Sequence, residues 1–201
     1  ISTNHTYFFR EAQHFSYLES AILQNRIQQT IKPFKVWSAA SSSGEEPYSI
    51  GMALMEHARS NAGFDWRMDA TDISTTVLDR AKKAVYPISS LERVPEHYVK
   101  HHCIKNASDE TFTVSKDIQR RIQFQQANLF ELPPSLSNDY DLIVCRNVMI
   151  YFDRRTRELL INSLIRRLKP DGTLFVGHSE SLNGLQHHLK MVRPAIYIKA
   201  H

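Results

Sequence analysis

Two adjacent carboxylates, Glu45 and Glu46, follow a turn of small residues, 41–44, that ends a short β-prone run, 36–40. Strand, small-residue turn and helix form the opening unit of a doubly wound nucleotide-binding sheet. The turn lacks G-x-G-x-x-G and G-x-x-x-x-G-K-[ST], and its acids would repel a phosphate at the helix N-terminus. A cationic nucleoside without phosphate fits better, and S-adenosylmethionine (SAM) is such a ligand. An ordinary, well-capped strand-to-helix turn explains the same residues equally well.

Two more polar side chains follow predicted strands. Asp72 comes after the predicted strand 64–70, where a doubly wound fold places the acid that accepts hydrogen bonds from both ribose hydroxyls. The competing interpretation is a helix N-cap, because Ser74 and Thr75 precede an apolar run. Asn128 follows a third short strand, and its amide can both donate to and accept from adenine nitrogens.

These side chains need a sheet whose strands end at one edge. Apolar runs and turn signals predict strands at 36–40, 64–70, 122–124, 141–145, 173–176 and 191–198. Helical periodicity predicts helices over roughly 11–30, from Glu45 onward, and from Asp153 to a turn at 169–172. The run 141–145 is continuously apolar, as expected at the buried centre of a parallel sheet. The predicted class is α/β, a Rossmann-like doubly wound fold with a small antiparallel β insert at about 100–122.

Composition sets broad limits on the protein. With 201 residues, 42% of them hydrophobic, and a formal net charge of +4, the chain is expected to form one domain. The charge excess is mild and has no interleaved aromatic stripe, so we do not expect nucleic-acid binding. Cys103 and Cys145 form no C-x-x-C pair, which is typical of a reduced, cytoplasmic protein. The sequence contains no apolar run of transmembrane length and no metal-ligand spacing, so neither membrane insertion nor a metal is expected.

Four long blocks of sequence resemble the chemotaxis receptor methyltransferases, the CheR family. They are T-N-x-T-x-F-F-R at 3–10, W-S-A-A-S-S-S-G-E-E-P-Y-S at 37–49, C-R-N-V-M-I-Y-F-D at 145–153 and L-K-P-D-G-x-L-F-V-G-H-S-E at 168–180. The resemblance covers nearly the whole chain. It implies a class I SAM-dependent methyltransferase sheet and transfer of methyl groups to glutamate side chains of methyl-accepting chemoreceptors. S-adenosylhomocysteine would be the product, and the cytoplasmic helices of the receptors would be the partners.

The resemblance also assigns roles to individual residues. It implies that the cofactor is bound by Asn4, Thr6, Arg10, Glu46, Asp72, Asn128, Leu129, Arg146 and Asn147. Among these, Glu46 would meet the methionine end, Asp72 the ribose, Asn128 and Leu129 the adenine, and Arg146 and Asn147 the sulfonium end. Arg10 and Tyr151 would lie beside the methyl group and the substrate carboxylate, as catalytic residues. Simpler interpretations stay open for three of them: Leu129 as core, Arg146 as an ion pair, and Tyr151 as a packed aromatic.

The acceptor is less constrained than the cofactor. Amide or amine methylation usually goes with an [ND]-P-P-[YF] turn, whereas the corresponding turn, 146–149, contains no proline, which favours a carboxylate acceptor. Methylation of another protein, methylation of a small-molecule carboxylate, and a non-enzymatic SAM-binding adaptor are the alternatives.

The resemblance implies a domain plan as well. We expect an N-terminal segment and linker helix at 1–34 that closes over the cofactor, followed by the methyltransferase domain at 35–201. The family's upstream helical domain is expected to lie outside this chain, which we expect to act as a monomer. Members that dock on a receptor's C-terminal peptide share a Gly-x-Gly loop in the β insert. The corresponding segment, 103–114, contains no glycine, which predicts independence of such a tether.

Overall fold

The computed structural model describes residues 6–26 and 32–200, which form an α/β fold. Its strands are β1 (Phe34–Ser38), β2 (Trp66–Asp72), β3 (Val85–Pro87), β4 (Cys103–Asn106), β5 (Thr111–Val114), β6 (Ile122–Gln126), β7 (Tyr140–Cys145), β8 (Leu168–Val176), β9 (Leu189–Arg193) and β10 (Ile196–Lys199). Its α-helices are α1 (Ala12–Tyr17), α2 (Glu45–Ser60), α3 (Thr75–Lys83), α4 (Glu96–His102), α5 (Lys116–Gln119) and α6 (Arg154–Arg167). In the part of the chain so described, no helix is both long enough and apolar enough to span a bilayer.

The main sheet has seven strands in the order β6-β2-β1-β7-β8-β10-β9. The five strands from β6 to β8 are parallel, and β10 and β9 complete the sheet in antiparallel fashion. After β1 the chain builds outward through β2 to β6 and then returns to the other side of β1 as β7. The strand order therefore reverses between β1 and β7, which is the point where open α/β sheets bind ligands. The predicted doubly wound fold is confirmed.

Alternating side chains of the central strands supply two cores, one on each face of the sheet. Val36 and Val144 belong to the core that contains the buried side of α2, whereas Trp37 and Ile143 belong to the core that contains the buried side of α6. All six residues of β7 are buried, as predicted for its continuous apolar run. With both faces covered, the strand ends are fixed rigidly, and the loops that leave them are held in place.

The antiparallel insert is a three-stranded sheet in the order β3-β5-β4. Its first strand, β3, begins at Val85, so the sheet starts earlier than the predicted range of 100–122. Phe8 is fully buried against this sheet, with its ring centroid 5.0 Å from that of Tyr86 and 5.6 Å from that of Phe112. The insert therefore anchors the N-terminal segment beside the main sheet.

Three predicted elements differ from the structure. The N-terminal helix is α-helical only over α1 and continues as a π-helix at Leu18–Leu23 and a 3-10 turn at Gln24–Arg26, while the last predicted residues, 27–30, lie outside the described part. The turn predicted at 169–172 is part of β8, since Leu168 already pairs with Tyr140 across a register shift. The single closing strand predicted at 191–198 is wrong: β9 and β10 form a hairpin there, and Ala195 takes a positive φ of 62° between them.

Candidate active site

A cavity of about 650 Å³ opens at the carboxyl ends of β1, β2, β6 and β7. This volume lies within the range of small-molecule sites. The sequence-predicted residues that line it are Thr6, Arg10, Glu46, Asp72, Asn128, Leu129, Arg146, Asn147 and Tyr151. The remaining predicted residue, Asn4, lies outside the described residues. Side chains from five separate segments thus meet at the switch point of the sheet.

The turn after β1 is shaped by two residues in left-handed conformations. Ser42 has a φ of 48°, and its backbone N–H donates to Asp72 Oδ2 at 2.9 Å. Gly44, with a φ of 101°, caps α2, and a Cβ atom there would lie 2.6 Å from the hydroxyl of Tyr86 and 2.9 Å from Cβ of Ala81. Only glycine suits both the conformation and the close approach. Gly44 is therefore required by the packing of this turn.

Asp72 serves the backbone and the cavity at the same time. Its Oδ1 accepts from the N–H of Ser74, the N-cap residue of α3, at 3.0 Å, while Oδ2 accepts from Ser42. Each carboxylate oxygen has two lone pairs, so these bonds leave acceptor capacity toward the cavity that Asp72 lines. The N-cap interpretation of Asp72 is wrong, because Ser74 is the N-cap residue of α3, and the bonds that Asp72 accepts fix its carboxylate in a loop that lines the cavity.

The two adjacent acids at the start of α2 have different surroundings. Glu45 accepts from the hydroxyl of Ser43 at 2.7 Å, and burial raises the pKa of its carboxyl. Glu46 lines the cavity, is only 7% exposed, and accepts from Ser38 Oγ at 2.7 Å and from Arg146 Nε at 2.6 Å. Glu46 and Arg146 therefore form a buried ion pair across the ends of β1 and β7, which agrees with the simpler interpretation of Arg146.

Arg146 also connects the sheet to the N-terminal segment. Its Nη1 donates to the carbonyl oxygen of Arg10 at 2.6 Å and lies 3.7 Å from Glu11 Oε2. Phe9 and Glu11 have φ values of 54° and 61°, so the backbone turns sharply on both sides of Arg10. Because Phe8 is buried nearby, this segment is fixed at both ends, and Arg10 is presented to the cavity.

His14 packs beneath this segment, and the environment of its ring predicts a pH dependence of folding. The ring is 3% exposed and stacks on Phe175 with a centroid distance of 4.5 Å. Burial, reinforced by the charges of Arg146 and His178, lowers the pKa of His14 to about 3. In the unfolded chain His14 becomes protonated near pH 6.5, whereas in the folded chain it stays neutral down to about pH 3. The contribution of neutral His14 to the free energy of unfolding is therefore complete above pH 6.5 and is lost as the pH falls toward about 3.

We therefore expect His14→Phe to flatten the acid side of the stability curve. Between about pH 6 and pH 4, the free energy of unfolding of the wild type should fall relative to the variant by up to about 1.4 kcal/mol per pH unit. Urea titrations of both proteins at several pH values measure this difference. Parallel curves over that range would contradict the assignment.

The two residues predicted to act on the methyl group and the substrate both line the cavity. Arg10 belongs to the N-terminal segment and is partly exposed. Tyr151 ends a 3-10 turn, Met149–Tyr151, and its side chain is 56% exposed, so it is not a packed aromatic. Sequence reasoning missed the five large apolar lining residues, which are Ile73, Phe130, Val148, Ile150 and Phe152. Each of them adjoins a predicted site residue in the sequence. Their position in the loops after the strand ends is the signal that could have identified them as lining residues.

The residues present suit SAM. The hydroxyl of Ser42, a lining residue, is buried and has no hydrogen-bond partner among the described residues, so the cavity wall offers an unused polar group. The carboxylates of Glu46 and Asp72 line the cavity, and the basic Arg146 is already paired. This donor and acceptor set favours a cationic nucleoside over a phosphorylated one.

Comparison with known proteins agrees with this chemistry. The family model described as "CheR methyltransferase, SAM binding domain" matches residues 4–198. The chain is 41% identical to the chemotaxis protein methyltransferase of Borreliella burgdorferi, over 99% of this chain and 71% of that protein. It is 39% identical to chemotaxis protein methyltransferase 2 of Pseudomonas aeruginosa, over 100% of this chain and 71% of that protein. The Salmonella typhimurium enzyme of the same name is 35% identical, over 98% and 67%.

The fold, the cavity at its switch point and these similarities support one conclusion. The chain belongs to the CheR methyltransferase family and is a SAM-dependent methyltransferase of chemotaxis.

Proposed function

We propose that this enzyme methylates glutamate side chains on the cytoplasmic helices of methyl-accepting chemoreceptors. The observation that carries the proposal is that Arg10 and Tyr151 line the same cavity as the residues assigned to SAM. A cation and a phenol at the entrance can orient a carboxylate acceptor. The similar proteins of Borreliella burgdorferi and Salmonella typhimurium are named chemotaxis protein methyltransferases, which points to the same pathway.

The proposed reaction needs orientation more than proton transfer. A glutamate carboxylate is already ionised near neutral pH, so no general base is required. Bound SAM supplies an electrophilic methyl group on a sulfonium. Arg10 holds the carboxylate through paired hydrogen bonds, and Tyr151 orients it. Orientation of this kind contributes on the order of 7–11 kcal/mol in favourable cases.

The entrance to the cavity suits a protein substrate. Ile73, Phe130 and Ile150 line it and are 67%, 46% and 50% exposed. Apolar side chains grouped at an opening are typical of surfaces that a partner covers. An amphipathic receptor helix would place apolar residues on them while one glutamate enters the cavity.

Methylation of purified receptor cytoplasmic fragments with methyl-labelled SAM tests the function. We expect base-labile methyl esters on wild-type fragments and none on fragments whose acceptor glutamates are replaced by alanine. Labelling of the alanine fragments, or no labelling of either, would contradict the proposal. Because 103–114 lacks glycine, we also propose that a receptor with its C-terminal peptide removed is methylated at an unchanged rate.

Arg10→Lys should reduce kcat by about 10–100-fold, with a smaller loss of SAM affinity and little change in the melting temperature. Lysine keeps the charge but cannot make the paired, planar hydrogen bonds that orient a carboxylate. Steady-state kinetics on the receptor fragment give kcat, and calorimetry gives SAM affinity. Arg93→Lys, at an exposed arginine outside the cavity lining, is the matched control. Turnover of Arg10→Lys at the wild-type rate would remove Arg10 from the mechanism.

The remaining parts of the proposal concern organisation. We propose that residues 1–34 close over the cofactor, that 35–201 form the methyltransferase domain, and that the enzyme acts in the cytoplasm as a monomer without a metal. Sedimentation of the purified chain tests the monomer, and activity in the presence of a chelator tests the metal independence. Limited proteolysis with and without SAM tests closure, because a closing segment should become protected.

A further inference from the structure

The segment that follows β7 supplies much of the cavity wall. Arg146, Asn147, Val148, Ile150 and Tyr151 all line the cavity. Asn147 has a positive φ of 61°, a conformation that costs a non-glycine residue free energy unless its surroundings hold it in place. The structure must therefore contain a group that fixes this turn.

That group is the carboxylate of Glu180, which does not line the cavity. Its Oε1 accepts from the N–H groups of Val148 and Met149, each at 2.7 Å. Its Oε2 accepts from the N–H groups of Asn147, at 2.7 Å, and Gly177, at 2.8 Å. With 3% of the residue exposed, four charge-assisted hydrogen bonds converge on one desolvated anion.

Gly177 makes this close approach possible. A Cβ atom at this position would lie 2.7 Å from Glu180 Oε2 and 3.3 Å from the backbone nitrogen of Asn147. Both distances are shorter than ordinary van der Waals contact, so alanine would push the carboxylate and the turn apart. Gly177 and Glu180 thus act together: the close approach at Gly177 lets the Glu180 carboxylate, which follows β8, bind the turn that follows β7.

We infer that Glu180 is a positioning residue for the cofactor: by holding three consecutive amides of the turn, it sets where Arg146 and Asn147 stand in the SAM site. This inference rests on the proposed assignment of those two residues to the cofactor. Glu180 touches neither substrate nor cofactor and acts only through the turn.

Glutamine cannot replace Glu180 in this arrangement. Each carboxylate oxygen of Glu180 accepts two hydrogen bonds from backbone N–H groups. In either orientation of a glutamine amide, the NH₂ group would face two of these N–H groups, and a donor cannot accept their hydrogen bonds. Two hydrogen bonds are lost whichever way the amide turns, and the turn must shift. Glu180→Gln therefore tests the charge and acceptor pattern with almost no change in volume.

The matched control is Asp141→Asn. Asp141 lies near the opposite end of β7, is also 3% exposed, and accepts from the backbone N–H of Lys35 and from Lys169 Nζ, both at 2.8 Å. Its substitution likewise disturbs a buried, hydrogen-bonded carboxylate, but at the end of β7 that lies away from the cavity. A merely structural role for Glu180 would make the two variants behave alike.

The experiment measures SAM affinity by calorimetry, KM for SAM and kcat with the receptor fragment, and hydrogen exchange of segment 146–152 without cofactor. For Glu180→Gln we expect a Kd and a KM for SAM at least 10-fold higher, a smaller change in kcat, and at least 10-fold faster exchange of the amides at 147–149. For Asp141→Asn we expect a lower melting temperature, a Kd within twofold of wild type, and unchanged exchange at 147–149.

Glu180→Gln with wild-type affinity and wild-type exchange would overturn the inference, as would an equal loss of affinity in Asp141→Asn. If Glu180→Gln does not fold, Gly177→Ala takes its place, with the same expected direction and the same overturning result. If the wild-type chain itself bound no SAM, the proposed site would fail instead. The exchange measurement, made without cofactor, would still decide whether Glu180 holds the turn.

Discussion

Replacing Asp72 with alanine should weaken SAM binding by at least about 100-fold, the largest effect on affinity that we expect from a single substitution. A hydrogen bond to a charged group contributes about 1.5–3 kcal/mol, and in the role we propose for Asp72 the ribose offers two hydroxyls to its carboxylate. The variant also releases the backbone N–H groups of Ser42 and Ser74, which Asp72 holds at 2.9 Å and 3.0 Å. Titration calorimetry with SAM and with S-adenosylhomocysteine measures the loss.

Two further variants separate ribose recognition from loop support. Asp72→Asn keeps the shape but removes one acceptor oxygen, so it should lose affinity to an intermediate degree. Asp69→Asn, on the same strand but bonded to the hydroxyl of Tyr140, should leave the affinity unchanged. Binding by Asp72→Ala within threefold of wild type would mean that this carboxylate serves only to hold its loop through the N–H groups of Ser42 and Ser74.

Glu46→Gln should lower the free energy of unfolding by about 3 kcal/mol, because it leaves the guanidinium of Arg146 buried without its charged partner. Side chains of the pair are 9% and 4% exposed, and their atoms lie 2.6 Å apart, so water in the cavity that both residues line replaces the lost carboxylate only in part. Glu11, 3.7 Å from Arg146, compensates only in part, which places the effect at the lower end for buried pairs. Chemical denaturation of the chain without cofactor measures the change.

A surface ion pair gives the comparison. Arg154 and Glu158 lie 3.1 Å apart, but the arginine side chain is 67% exposed, so Arg154→Met should cost less than about 1 kcal/mol. The double variant Glu46→Gln, Arg146→Met should be less destabilised than the sum of the two single variants, since no unpaired charge remains. A cost for Glu46→Gln no greater than that of Arg154→Met would show that the pair is effectively solvated.

Local sequence was sufficient for the elements whose signals are short-range. The continuous apolar run 141–145 predicted the central strand, and small residues followed by Glu45 and Glu46 predicted the turn and the start of α2. Because parallel strands end at one edge, residues after those ends were expected to meet, and Asp72, Asn128 and Arg146 do line one cavity. The strand ends are therefore readable from the sequence without knowing how the loops fold.

Errors arose where pairing partners decide the structure. Residues 169–172 carry the proline, aspartate and glycine of a turn, yet they lie in β8 because neighbouring strands pair with its ends. The C-terminal alternation of apolar residues fits one strand, but the chain reverses at Ala195 and pairs with itself. Long-range hydrogen bonds outweigh local preference at such positions.

The sequence by itself determined the family, the fold class, the cofactor and nine of the 19 residues that line the cavity. Only the tertiary structure decided how those residues are held. Arg146 is paired with Glu46, Asp72 accepts hydrogen bonds from the backbone of two loops, and Glu180 accepts hydrogen bonds from four backbone N–H groups. The physical reason is separation along the chain. Glu46 and Arg146 are 100 positions apart in the sequence, and Glu180 is 33 positions from Asn147. These bonds form only when the strand ends come together in the fold, so they cannot be predicted from a local sequence pattern.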